Sequence, residues 1–127
     1  MLKTDPSQWT DPRHIAGVEA ESRAAEILRR EGYRVLEQRY RFLRHDIDLV
    51  ARQGRTVVFV EVKLRKGSQF GTAAEAITGR KRRELVRAAS AWLQRHGRPD
   101  DLARFDVVTF DGKQIVWLQN AFRPGWR

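Results

Sequence analysis

The stretch His45-Asp46-Ile47-Asp48-Leu49-Val50-Ala51, followed beyond Gly54-Arg55 by Thr56-Val57-Val58-Phe59-Val60-Glu61-Val62-Lys63-Leu64, decides the fold. Both runs are rich in Val, Ile and Phe, and Gly54-Arg55 reads as the turn of a hairpin between two strands. Strand side chains alternate between faces, so Glu61 and Lys63 share one face. With the right register, Asp48 on the neighbouring strand joins them. Charges in such an apolar setting are costly unless they are paired or ligate a metal. Two carboxylates beside an ammonium group therefore read as a site for a hard divalent cation. A sheet-surface ion pair is the competing reading, and the Glu-x-Lys triplet gains weight only from the upstream Asp and the strands around both.

Working outward, Val18 to Arg30 carries Ala24, Ala25, Ile27 and Leu28 as an apolar stripe and ends at Gly32, which predicts a helix. Tyr33 to Glu37, Asp46 to Arg52 and Thr56 to Leu64 read as three strands in meander order, and Lys66 to Gly71 as a loop. Thr72 to Ile77 suggests a short helical turn. Arg80 to His96 is a longer helix with Leu85, Val86, Ala89, Trp92 and Leu93 inward. Phe105 to Phe110 and Gln114 to Leu118, joined through Asp111-Gly112, complete the order α-β-β-β-α-β-β. The fold class expected is an α/β domain, a mixed sheet flanked by helices. Pro6 and Pro12 mark residues 1–13 as a loosely structured arm, leaving 14–127 as a single domain, a size that suits one core.

The chain has 25 Lys+Arg against 16 Asp+Glu, a net charge of +9, and no cysteine. Disulfides and thiolate metal sites are excluded, so a metal must be held by oxygen or imidazole ligands. No apolar run is long enough to cross a bilayer, and the first ten residues lack a secretory signal, so a cytoplasmic protein without a membrane partner is expected. The positive charge is uneven. Residues 1–63 carry 12 basic against 10 acidic groups and residues 64–127 carry 13 against 6. The densest block is Arg80-Lys81-Arg82-Arg83, with Arg87, Arg95 and Arg98 following, and Arg65 stands earlier, just after Lys63. A solvated helix face would explain any one of them. The cluster as a whole points to a nucleic-acid partner, with Arg65, Arg80, Lys81, Arg82, Arg83 and Arg87 as the phosphate contacts.

Asp48 and Glu61 supply the hard oxygen ligands that Mg²⁺ or Mn²⁺ takes, and the main-chain carbonyl of Val62 can add another. Lys63 is placed to orient an attacking water and balance developing charge. These residues resemble the PD-(D/E)xK nuclease superfamily and, more closely, the small bacterial YraN family of endonuclease-like proteins, related by fold to archaeal Holliday-junction resolvases. The match covers most of residues 17–122. It runs through Gly17, Glu21 and Ala24, Gly32-Tyr33, Ile47-Asp48-Leu49, Phe59-Val60-Glu61-Val62-Lys63 with Arg65, Phe70-Gly71, Lys81, Arg104-Phe105-Asp106-Val107-Val108 and Asn120-Ala121-Phe122.

The resemblance implies a restriction-endonuclease-like core, metal-dependent hydrolysis of DNA, branched or double-stranded, and a homodimer by analogy with the resolvases. It also implies that Glu21 is a first-helix carboxylate able to approach the metal site; without it, Glu21 reads as a solvated charge with i,i+4 partners. The chain departs from the family where His45-Asp46 stands in place of Gly-Glu, and where Ala20 precedes Glu21. His45 reads as a partly exposed structural residue, Asp106 as an anchor for Arg104 or a backbone amide, and Trp92 and Trp117 as core. Trp9 and Trp126 could stack on bases or cap the fold. The alternatives to a nuclease are a binding module of the same fold with little turnover, and an interaction protein whose basic face docks an acidic partner.

Overall fold

A computed structural model of the chain describes residues 12–65, 75, 77–112 and 114–125. Its elements are α1 (Pro12–Arg30), β1 (Arg34–Phe42), β2 (His45–Gln53), β3 (Thr56–Arg65), α2 (Gly79–His96), β4 (Leu102–Asp111) and β5 (Gln114–Phe122). The expected order α-β-β-β-α-β-β is the observed one. Lys66 to Gly71, most of Thr72 to Ile77, Trp9 and Trp126 lie outside the described residues.

α1 starts at Pro12, inside the stretch read as an arm. Proline's fixed φ and missing N–H suit the first helical turn, so this residue opens the helix rather than excluding it. The other end is as expected. Gly32, at φ +89, closes a Schellman motif in which the Tyr33 N–H donates to the Leu28 carbonyl (3.0 Å) and the Gly32 N–H to that of Arg29 (3.1 Å). α2 is capped by Thr78, whose hydroxyl accepts from the Lys81 N–H at 3.1 Å. It ends at Gly97, where a Cβ would lie 2.5 Å from the Leu93 carbonyl oxygen.

The five strands lie in the order β1-β2-β3-β4-β5, all neighbours antiparallel except β3 and β4. A parallel neighbour needs a crossover, and α2 provides it on one face of the sheet. That face holds Val57, Phe59, Phe105, Val107 and Phe122 under Leu85, Ala88, Ala89 and Trp92. Ala88 belongs to the buried stripe, whereas Val86 and Leu93, read as inward, are only partly covered. The opposite face packs Leu49, Ala51, Val58, Val60 and Val108 against Ala20, Ala24, Ala25 and Leu28 of α1. An aromatic row crosses three strands: Phe59 stacks on Phe105 at 5.4 Å and Phe105 on Phe122 at 4.8 Å, with Trp92 edge-on to Phe59 at 5.9 Å.

β1 and β5 run further than the apolar pattern predicts, because their added length is mostly polar and held by pairing with β2 and β4, with Phe122 buried at the end of β5. Asp106 explains the end of β5. It is buried opposite a bulge and accepts from Arg104 Nε and Nη2, Trp117 Nε1 and the Asn120 N–H, all at 2.9 Å. Its anchoring role is the one the sequence indicated. Trp117 and Trp92 both pack in the core, and Trp92 also donates to Glu37 at 3.0 Å.

At the far end of the β2–β3 hairpin, Arg52 and Asp101 form two hydrogen bonds of 2.8 Å with both side chains buried. The Arg52 partner, seconded by the Arg98 N–H, holds the Asp101 carboxyl down to about 2. Removing one member of such a pair leaves a buried charge unmatched. Asp101→Ala is expected to cost about 3–5 kcal/mol. Because the folded-state pKa is depressed, the pair stabilises fully above about pH 4 and loses its contribution as pH falls through about 2. Chemical denaturation of wild type and variant at pH 7 and in acid checks both the size and the sign, and a stability loss that does not shrink in acid would refute the assignment.

Candidate functional site

β2 and β3 do not pair along their whole length. Their register runs from Gln53↔Thr56 to Leu49↔Val60 and stops there, although the next position would set Asp48 against Glu61. Beyond it β2 stays paired with β1 out to Phe42↔His45, and β3 stays with β4 out to Arg65↔Asp111. The sheet therefore forks. In the crotch the Asp48 side chain replaces the missing rung, Oδ2 accepting from the Val62 N–H at 2.7 Å. On its other side the β1–β2 ladder also skips a position, passing from Gln38↔Leu49 to Tyr40↔Ile47 around Arg39, a non-glycine residue at φ +57.

Glu61 reaches into the fork with only 4% of its side chain exposed. Lys63 Nζ lies 3.6 Å and Lys81 Nζ 3.8 Å from Glu61 Oε2, the first from β3 and the second from the opening turn of α2. Glu61 and Lys63 thus share a face as the alternation requires, and the register brings Asp48 to them. Burial, together with the charge and hydrogen bond of Glu61, pushes the Asp48 carboxyl up to about 8, against the pull of the Val62 N–H and Lys81.

Glu21 comes from α1. Its carboxylate is clasped by Arg39, with Nε–Oε1 3.1 Å and Nη2–Oε2 3.2 Å. Burial raises its pKa, the Arg39 hydrogen bond opposes that, and the Asp48 charge adds to it. Among the described residues no group of three or more His, Cys, Asp or Glu side chains gathers closely enough to hold a metal. The site has two inner carboxylates, then, with Glu21 engaged by Arg39 at its margin. Arg39 was not identified from the sequence, where it is one of many arginines and nothing marks its left-handed backbone.

His45 and Asp46 meet partners outside the Asp48–Glu61 pair, although the Asp46 charge still reaches Glu21 and Arg39. His45 Nδ1 lies 3.7 Å from Glu84 of α2, which also meets Arg80 at 3.4 Å, and the half-exposed Asp46 faces Arg41 at 3.9 Å. His45 is partly exposed, as the sequence reading expects. Of the basic residues, Arg65 ends β3 and Lys81 points at the fork. Arg80, Arg82, Arg83 and Arg87 line a cavity on the first turns of α2.

Comparison with known proteins adds the family. The chain is 48% identical over 112 residues to a UPF0102 protein of Dechloromonas aromatica (strain RCB), covering 88% of this chain and 92% of the relative. It is 47% identical over 116 residues to one from Pseudomonas fluorescens (strain Pf0-1), covering 88% and 97%, and 46% identical over 116 residues to one from Alkalilimnicola ehrlichii, covering 90% and 92%. The model of Uncharacterised protein family UPF0102 matches residues 20–110, which include Glu21, both fork carboxylates and all of α2. With the α-β-β-β-α-β-β fold and these matches, the chain belongs to UPF0102, the YraN-type family to which its landmarks pointed.

Proposed function

We propose that the protein is a metal-dependent nuclease that hydrolyses DNA phosphodiesters at the fork between β2 and β3. The observation that carries this reading is the Asp48–Glu61 pair, two acidic groups pressed together in a buried crotch between Lys63 and Lys81. A carboxyl kept protonated by burial and by a neighbouring carboxylate is one from which a divalent cation displaces the proton, so the donor set fits a hard metal. Asp48, Glu61 and the Val62 carbonyl would hold Mg²⁺ or Mn²⁺, which when bound stabilises negative charge on phosphoryl oxygens and makes water a better nucleophile.

The rest is the work of the chain itself. Glu61 holds the Lys63 ammonium at the mouth of the fork, where 38% of that side chain remains exposed to a substrate. From there Lys63 orients the attacking water by hydrogen bonding and balances charge at the scissile phosphate. Lys81 does the same from the helix side. Arg65 and the arginines of α2 neutralise flanking phosphates and fix the strand in register. Arg39 positions Glu21 at the edge of the site rather than in it.

A second reading is a DNA-binding module of the same fold with little turnover. It is supported by the two lysines already on Glu61 and by the Arg39 clasp on Glu21, which leave two inner carboxylates as ligands. Incubation with branched, duplex and single-stranded DNA in Mg²⁺ or Mn²⁺ separates the two. Cleavage by the wild type that falls by about 10²-fold or more in Asp48→Ala and Glu61→Ala is the expected result. Cleavage that survives both substitutions would remove these residues from the mechanism, and salt-sensitive binding without cleavage would select the module.

The Asp48 carboxyl provides a test independent of turnover. Its folded-state pKa is raised, so the metal-free protein loses stability as pH rises from about 4 to about 8. Asp48→Asn keeps an acceptor for the Val62 N–H and removes the charge. In EDTA its Tm is expected to exceed that of the wild type by a few degrees at pH 8.5, with the gap closing by pH 4. Mn²⁺ should raise the Tm of the wild type and leave that of the variant unmoved; equal shifts in both would place the metal elsewhere.

A further inference from the structure

The outer side of α2 lies between two projecting segments, the tip of the β1–β2 hairpin and the residues that end and follow β5. Two cavities of about 520 and 550 Å³ run along it, each within the ~300–1,000 Å³ typical of ligand sites. They share Val86 and Arg87 and so form one trough. Its apolar surface is Val86, Phe122 and Pro124 in the first part, and Phe42 and Ala91 in the second. Around that surface stand Arg80, Arg82, Arg83, Arg87 and Arg123, with Arg95 at the far end.

The charge is one-sided. Among the described residues lining the trough the sole carboxylate is Glu84, and it already faces Arg80 and His45. Phe122 is stacked on Phe105 in the core and carries the Arg82 guanidinium 5.3 Å from its ring centre. Guanidinium and aromatic surfaces spaced along a cationic groove suit an unpaired strand, whose bases are free to stack while its phosphates meet the arginines. A duplex would offer phosphates alone and leave the apolar floor uncontacted. A second copy of this chain would bring net positive charge to a positive surface.

The trough also starts at the right place. Lys81, one residue from its first arginine, reaches Glu61 in the fork, and from Arg80 to Arg95 the helix extends roughly 22 Å at 1.5 Å per residue. We infer that the trough holds an unpaired nucleic-acid strand leaving the fork, with its phosphates on Arg83, Arg87 and Arg123 and a base against the Arg82–Phe122 stack. This inference rests on the nucleic-acid reading of the fork and narrows its substrate to DNA that carries a single-stranded branch or end beside a duplex.

The test compares, in EDTA so that nothing is cleaved, the affinity for a forked duplex with unpaired arms and for a blunt duplex of equal total charge, read by fluorescence anisotropy. The wild type should prefer the forked DNA by about tenfold, the scale of one stacked base. Arg87→Ala/Arg123→Ala, two exposed positions, should bring that ratio close to one, whereas Arg29→Ala on the opposite face should not change it. Equal affinity of the wild type for both DNAs would overturn the trough and leave the nucleic-acid reading standing. Binding to neither would overturn both. If the double substitution alters self-association while the ratio is unmoved, the trough belongs to a second copy and the inference fails.

Discussion

The hydrogen bond from the Val62 N–H to the Asp48 carboxylate takes the place of a rung in the β2–β3 ladder, and the rest of the site follows from it. A backbone N–H left without an acceptor at that depth would cost about 1–3 kcal/mol, so the strands could not part there unless a side chain took over the bond. Asp48 does so, and the sheet can open without an orphaned donor. The same substitution buries a carboxylate next to Glu61. Sheet integrity and electrostatic tension thus come from one residue, and the tension is what suits the place to a cation.

Elements on both faces of the sheet bear on this point. The parallel pairing of β3 with β4 requires a crossover, and the crossover is α2, whose capped first turn carries Lys81 to Glu61. α1, on the opposite face, carries Glu21, whose carboxyl feels the Asp48 charge, and is tied to β1 by Arg39. Remote pairs hold the frame that makes these approaches reproducible. Arg52–Asp101 fixes the closed end of the β2–β3 hairpin against the segment entering β4, and Asp106 fixes the bulge that lets β5 reach Phe122. Both are buried carboxylates with several donors each, in contrast to Asp48, which has a backbone donor on one side and a carboxylate on the other.

Much of this was legible in the chain. Alternation in Thr56 to Leu64 placed Glu61 and Lys63 on one face, Gly32 marked the helix end, and the Ala24, Ala25, Leu28 stripe marked the buried side of α1. These signals are local: each depends on the period of one element or on the conformational freedom of one residue. Pro12 misled because proline breaks a helix interior but suits its first turn, and the sequence pattern does not say which applies. The extra length of β1 and β5 was hidden because polar edge strands are held by neighbours, which hydrophobicity does not report.

By itself the sequence determined the element order, the two helix faces, the pairing of Glu61 with Lys63 and the concentration of positive charge on α2. Each follows from spacing along one segment. Only the tertiary structure decided that β2 and β3 part at Asp48, that Glu21 is clasped by Arg39, that His45 meets Glu84 and Asp46 meets Arg41, and that the arginines of α2 share a trough with Phe122 and Arg123. These arrangements join residues distant in the chain, and they depend on register and on a left-handed residue at position 39. Neither leaves a periodic trace, because both arise from the balance of backbone hydrogen bonds and buried charge after the strands have met.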